Sequence, residues 1–183
     1  MKIILVSGYI GSGKTTFLNY LKDKLNSLGY YTEKFSFADK VKEIAKKDFL
    51  WDGKKDKKGR RLLQVIGTEA GREYNEDIWA VHLKNKLDSL PVKPSVVIID
   101  DWRFPNEYEI LSAYYEVYPI RILGKPSTSD HISEHALDNF NHYVMMIVNT
   151  FRGVEEEFSA PAESLVDNVL GMDYWKTLDK PGK

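Results

Sequence analysis

The chain has no cysteine, which excludes disulfides and thiolate metal sites and agrees with a reducing compartment. It also has no surplus of charge of either sign. Its 26 Lys and Arg face 27 Asp and Glu, leaving a net charge of −1. That balance gives no global pull toward nucleic acid or an anionic membrane, so neither is an expected partner. No apolar run approaches the ~18 residues of a transmembrane helix. The first strand-like run is too short for a secretory signal and has no cleavage site, so the cytoplasm is the expected compartment. Internal repeats and linkers are missing too. What remains is an ordinary globular composition, 43% hydrophobic and 29% charged over 183 residues, which suits a single domain.

What is there is concentrated at the start, in MKIILVSGYIGSGKTTFLNYL. Lys2 to Val6 is a short β-branched run of the kind that forms a buried strand. Gly8, Gly11 and Gly13 then permit backbone angles that other residues avoid. After Lys14, Phe17, Leu18, Leu21, Leu25 and Leu28 recur at helical spacing until Gly29. A strand, a glycine loop and a helix N-terminus aim a ring of N–H donors at an anion. The spacing Gly8-x-x-x-x-Gly13-Lys14-Thr15 fits the phosphate-binding P-loop. Residues Gly8, Gly11, Ser12, Gly13, Lys14, Thr15 and Thr16 are therefore expected to hold the phosphates of a nucleoside triphosphate. The Lys reaches the β- and γ-phosphates, and the Thr15 hydroxyl meets Mg²⁺.

Further along, YYTEKFSF (30–37) reads as a second strand, and 38–49 as a helix with Val41, Ile44 and Ala45 on one face. The run DGKKDKKGRR is a basic loop: a solvated turn, or an electropositive segment near an anionic acceptor. Residues 61–72 and 77–90 read as helices. SVVIID (95–100) is a nearly all-apolar parallel strand, 104–115 a helix, and 117–123 and 143–148 two more strands. A closing helix is expected over 164–170. The alternation predicts a three-layer α/β/α fold around a five-stranded parallel sheet. Residues 38–94 are available for an acceptor-binding insertion and 124–142 for a lid.

A P-loop needs a second metal partner at the end of a neighbouring strand, and Asp100 and Asp101 both qualify; at least one is expected to serve Mg²⁺, the alternative for either being a cap on the following turn. Asn85-Lys86-Leu87-Asp88 matches the N-K-x-D of guanine-specific GTPases, but it lies in a helical pattern rather than at a strand end. His131 and His135 have i, i+4 spacing, yet lack an obvious third zinc ligand. The proportions favour phosphoryl transfer to a small molecule. Transfer to another phosphorylated metabolite and a non-catalytic nucleotide-binding module are the alternatives.

SFADKVKE, LLQVIGTEAGR with DIWAVHL, IDDWRFPNE and SDHISEHALD together resemble the deoxynucleoside monophosphate kinases of bacteriophages, a branch of the P-loop nucleotide kinases, over residues 1–152. The resemblance implies ATP and Mg²⁺, transfer to a dNMP, and the host cytoplasm if the chain is phage-encoded. It implies that Arg72 grips the acceptor phosphate, or else is an ordinary helix-end arginine. Arg103 would reach the bridging or acceptor phosphate, or pair with Glu107 or Asp101. Lys42, Gln64, Asp77 and Trp79 would line the acceptor pocket, although Lys42 also suits an exposed helix and Trp79 a core. Asn149 and Arg152 would lie near the ATP base or ribose. The expected lid, unlike those of most nucleotide kinases, contains no arginine. Arg121 and Lys125 are expected to share that role, with Arg152 behind them. A homodimer remains open.

Overall fold

Lys2–Ser7 and Val96–Ile99 bury side chains on both faces, as strands inside a parallel sheet must. The computed structural model describes residues 1–125, 131–151, 153–169 and 171. Its sheet comprises β1 (Lys2–Ser7), β2 (Thr32–Phe35), β3 (Val96–Ile99), β4 (Glu116–Leu123) and β5 (Met145–Val148), all parallel, in the order β2-β3-β1-β4-β5. Ile3 lies level with Val97 on one side and Val117 on the other.

Strand alternation divides the core in two. Ile4, Val6, Val96, Ile98, Ile120 and Ile122 face α1 (Lys14–Ser27) and α7 (Val154–Ser164), where Phe17, Leu21 and Phe158 pack. Ile3, Leu5, Val97 and Ile99 face α2 (Ala38–Asp48), α4 (Ile78–Asp88) and α5 (Pro105–Ser112), through Val41, Ala45, Leu83, Leu87 and Leu111. These layers are the expected three-layer α/β/α arrangement with five parallel strands. The GTPase-like quartet Asn85–Asp88 lies inside α4. Among the described residues no helix is long and apolar enough to cross a membrane.

Several boundaries differ from the sequence reading, each for a local reason. The helix expected over 61–72 begins at Lys57, inside the basic run, as α3 (Lys57–Gln64). Asp56 caps it, accepting from Gly59 N at 2.8 Å. No apolar periodicity marks that first turn. From Val65 to Arg72 the helix widens into a π-helix. In the closing helix, α7 starts ten residues before Ser164 and carries Pro161 internally, and a π-helical stretch, Leu165–Val169, follows it. A short helix, α6 (Ile132–His135), lies in the segment left unassigned.

Because the chain runs from β1 to β2 on one side and later to β4 and β5 on the other, the loop after central β1 opens at a topological switch point. Ligands of open α/β sheets bind at such points, beyond the carboxyl ends of the strands.

The widened helix is pinned by Trp79, whose Nε1 donates to the Gly67 carbonyl at 2.7 Å. A Cβ at Gly71 would lie 2.4 Å from the Trp79 ring and 2.8 Å from the Ile66 carbonyl, whereas one at Gly67 would meet only Val41 methyls at 3.7 Å. Gly71→Ala should therefore destabilise the chain by about 1–3 kcal/mol through overpacking. Gly67→Ala should be neutral or stabilising by up to about 1 kcal/mol. Urea unfolding of both variants checks this, and equal effects would contradict it.

Candidate active site

At the end of β1 the chain turns through Gly8–Gly13 into α1, and Gly13 sits in the left-handed region at φ 95°. A Cβ there would lie 2.3 Å from Asn149 Nδ2, and one at Gly8 would lie 2.5 Å from the Ile122 carbonyl. The loop thus requires glycine both for its angles and for its close fit against β4 and the end of β5. Asn149 locks it from behind, Nδ2 donating to Ser12 O at 3.0 Å. No side chain caps α1 and its first turn has no acid. Its leading N–H groups have no intrahelical acceptors, so they are free to meet an anion.

Lys14 curls over this loop, its Nζ donating to the Gly8 carbonyl and to that of Tyr9 at 2.8 Å. Burial, with Arg103 nearby, lowers its ammonium to about 8, while Glu134 and Asp100 oppose the shift.

Beside the loop lies a cleft of about 280 Å³, whose lining includes Ile10, Phe37, Gln64, Trp79 and Arg72. Arg72 stacks on the Phe104 ring with its guanidinium carbon 3.9 Å from the centroid, and pairs with buried Glu107. Glu107 works on two fronts, because its Oε2 accepts from the backbone N–H of Arg103 at 2.8 Å and Phe104 at 3.1 Å. This is the third-position glutamate of α5 reaching back to its own helix start, with Pro105 at the first position. Burial pushes the Glu107 carboxyl up to about 7, against the pull of Arg72. Arg103 reaches across the cleft to α6, pairing with Glu134 and donating to the Ser133 carbonyl at 3.2 Å.

The two strand-end carboxylates diverge. Asp101 is consumed by α2, accepting from Ser36 Oγ and from the backbone N–H of Phe37 and Ala38, both at 2.9 Å. Asp100 pairs with Lys34 at 2.6 Å and keeps about a quarter of its side chain exposed.

No family model matches the chain. It is 31% identical to the "Putative deoxynucleotide monophosphate kinase" of Acanthamoeba polyphaga mimivirus, across 94% of this chain and 100% of that protein. A 32% identical stretch of the Escherichia phage T5 deoxynucleoside-5'-monophosphate kinase covers 52% of this chain and 40% of that protein. The chain belongs to the deoxynucleoside monophosphate kinase family. A shikimate kinase from Aquifex aeolicus shares the fold at 16% identity and TM-score 0.54, over 93% of this chain and 99% of that one.

Within this kinase, Gln64, Arg72, Trp79, Asp101 and Arg103 of the expected site residues line the cleft, and Lys14 stands beside it. Trp79 is both wall and core, being 4% exposed. Lys42 and Asp77 are not among the lining residues. Lys42 turns to Asp39 and Ser36 on its own helix start, and Asp77 accepts from Asn106 Nδ2 at 2.7 Å. Arg121 is buried beneath the 131–143 segment, donating to Leu137 O, Tyr143 OH and Asp138. Lys125 lies over the Phe151 ring. Thr15 and Thr16 are exposed in the first turn of α1, and Arg152 lies outside the described residues. Among the described residues no His/Cys/Asp/Glu group of three or more gathers to hold a metal ion, so His131 and His135 form no zinc cluster there.

The sequence reading did not name Thr68, Glu107 or Glu134 as site residues, and they line the cleft together with Lys55 and Arg60 of the basic run, which it offered as a solvated turn or an electropositive segment near an anionic acceptor. Arg60 stands one helical turn before Gln64, so the periodicity was visible once α3 was known to start early.

Lys14 yields a pH prediction. Only the ammonium form attracts phosphate, and with its pKa near 8 the ligand-free enzyme loses that form as pH rises through 8. Affinity for ATP should hold below that point and weaken about tenfold between pH 7 and 9, following the fraction still protonated. Calorimetric titration at the two pH values measures it; an unchanged Kd would mean that Lys14 titrates at its ordinary value.

Proposed function

We propose that the chain transfers the γ-phosphoryl group of ATP to a deoxynucleoside monophosphate, giving ADP and the dNDP. One observation carries this reading: a P-loop and a separate cleft share a border of cations, with Lys14 on the loop side and Arg72 and Arg103 on the cleft side. A module that only bound a nucleotide would need the first and not the second.

Phosphoryl transfer proceeds through a loose transition state, so positioning and charge neutralisation supply most of the acceleration. The acceptor phosphate, with a second pKa of ~6, is already ionised at neutral pH and needs no general base. The loop N–H groups and Lys14 hold the ATP phosphates. Arg72, fixed between Phe104 and Glu107, offers its guanidinium fork to the acceptor phosphate. Arg103, whose charge also acts on Lys14, reaches the acceptor phosphate and the transferring group. Lys55 and Arg60 draw the acceptor in, while Gln64, Thr68 and Trp79 meet its base. Phe37, Val41 and Leu63 supply apolar walls.

The hydroxyl of Thr15 and the carboxylate of Asp100 are hard oxygen donors of the kind Mg²⁺ prefers, and these two would hold it. Both Asp101 oxygens are already engaged by α2. When bound, the ion supplies charge neutralisation at the β- and γ-oxygens. The 38–94 region acts as the acceptor-binding insertion and the 124–142 region as the lid, excluding water that would otherwise waste ATP. Arg121 anchors the lid base rather than reaching the phosphates.

Coupled ADP release measured with each dNMP, against a control without acceptor, tests the assignment. Lys14→Ala and Arg103→Ala should each lower kcat by about 10²–10³-fold. Arg60→Ala should mainly raise the KM for the dNMP, as loss of uniform binding does. ADP release that ignores the acceptor would overturn the assignment. For the lid base, Arg121→Ala should lower the melting temperature and Lys125→Ala should leave it unchanged. Equal melting temperatures would remove the anchoring role.

A further inference from the structure

Glu134 is a carboxylate where the reaction calls for none. Its side chain is 4% exposed and lines the cleft on α6. One oxygen pairs with Arg103, and the other is buried with no hydrogen-bond partner among the described residues. Its charge also reaches Lys14: Arg103 depresses the Lys14 ammonium, and Glu134 opposes that depression. Glu134 thus pairs with Arg103 and offsets part of what burial and Arg103 do to Lys14, so one carboxylate serves both cations.

Substrate phosphates bring more negative charge to the same two cations. A carboxylate and a phosphate cannot both occupy that position without strong mutual repulsion, and the carboxylate sits on a helix of only four residues. We propose that Glu134 is a displaceable internal counter-ion, holding Arg103 until a substrate phosphate expels it. The identity of that phosphate as a dNMP's rests on the function proposed above.

The anchorage of α6 fits a swing of this kind. Behind it, Leu137 O accepts from Arg121 Nη1 at 2.8 Å, and Asp138 accepts from Tyr9 OH at 2.9 Å and Arg121 Nη2 at 2.7 Å. At its front, Arg103 contacts Ser133 and Glu134. Displacing Glu134 therefore releases the front while the rear stays pinned. Two consequences follow. Apparent acceptor affinity is reduced by the fraction of molecules in which Arg103 is free. ATP bound alone lacks Arg103, which suppresses its hydrolysis until the acceptor arrives.

The test compares wild type with Glu134→Gln, which keeps the shape and removes the charge. The variant should bind dNMP about 5–10-fold tighter by calorimetry without ATP, because less competition remains for Arg103. Its acceptor-free ATP hydrolysis, relative to transfer, should rise at least about fivefold. A structural lesion or a lost substrate contact would weaken binding instead, so unchanged or weaker dNMP binding overturns the proposal. If Glu134→Gln fails to give a cooperative melt, Glu134→Asp is measured in the same way. It keeps the charge one methylene further from Arg103, and about 2–3-fold tighter binding is expected, with no gain overturning the proposal. Wild type separates the two layers. Without dNMP-dependent ADP release in wild type the kinase assignment itself fails. With release in wild type but no gain in the variants, only the counter-ion role fails.

Discussion

Crowding of like charge governs this molecule. A site that grips two polyanions end to end must hold several cations close together before either anion arrives, in a partly dry cleft where their repulsion is weakly screened. The chain meets that constraint by giving Arg72 and Arg103 a buried carboxylate apiece. Arg72 is paired with Glu107 and Arg103 with Glu134. The two pairs differ in kind. Glu107 is bound into the start of α5 through two backbone N–H groups and cannot leave without unravelling that turn. Glu134 has one oxygen with no partner among the described residues, on a helix of four residues. One carboxylate is built to stay, and the other has little to keep it. On the proposed reading, Arg72 is thereby a fixed acceptor clamp and Arg103 a conditional one.

The rest of the scaffold serves to keep the fixed half fixed. The π-helix brings Thr68 and Gln64 to the cleft, and Trp79 reads its widened carbonyl ladder directly through Gly67. Wide helical turns leave carbonyls that the i−4 pattern does not satisfy, so an external indole N–H is a natural complement. The same indole closes one wall of the cleft. On the opposite wall Asp101 secures the first turn of α2 to the end of β3, holding Phe37 and Val41 in place. A carboxylate that resembles a metal ligand in the sequence is therefore a helix anchor in the structure, and Asp100 is left paired with Lys34.

The sequence revealed the parts whose physics is local. A glycine loop between strand and helix is specified by its own residues, and so are the apolar strands, whose alternation already divides two cores. The strand-end carboxylates were visible, but not which of them α2 would use, because that depends on contacts 63 to 65 residues away. Helix starts set by a single cap were harder. Asp56 adds one helical turn that carries no apolar residue, and that turn decides that Arg60 faces the cleft. Pro161 disguised most of α7, although Phe158, Ala162 and Leu165 lie on one face of it. Arg121, at a strand end, read as a lid cation shared with Lys125. Its burial depends on a segment twenty residues further on folding back over it, and no local pattern encodes that.

That fold-back also explains why the P-loop carries Tyr9 at a position the phosphate chemistry leaves open. Asp138 accepts from Tyr9 OH, from Arg121 and from His135. Burial pushes the Asp138 carboxyl up, but those three hydrogen bonds outweigh it and hold the group at about 2. It therefore stays ionised throughout the range in which a nucleotide kinase works. A single charge thus ties the phosphate loop, the central sheet and the segment bearing Glu134. On the proposed reading, a shift of the loop would pull on the chain just beyond α6 through Tyr9 and Asp138, while Arg103 holds the helix's front.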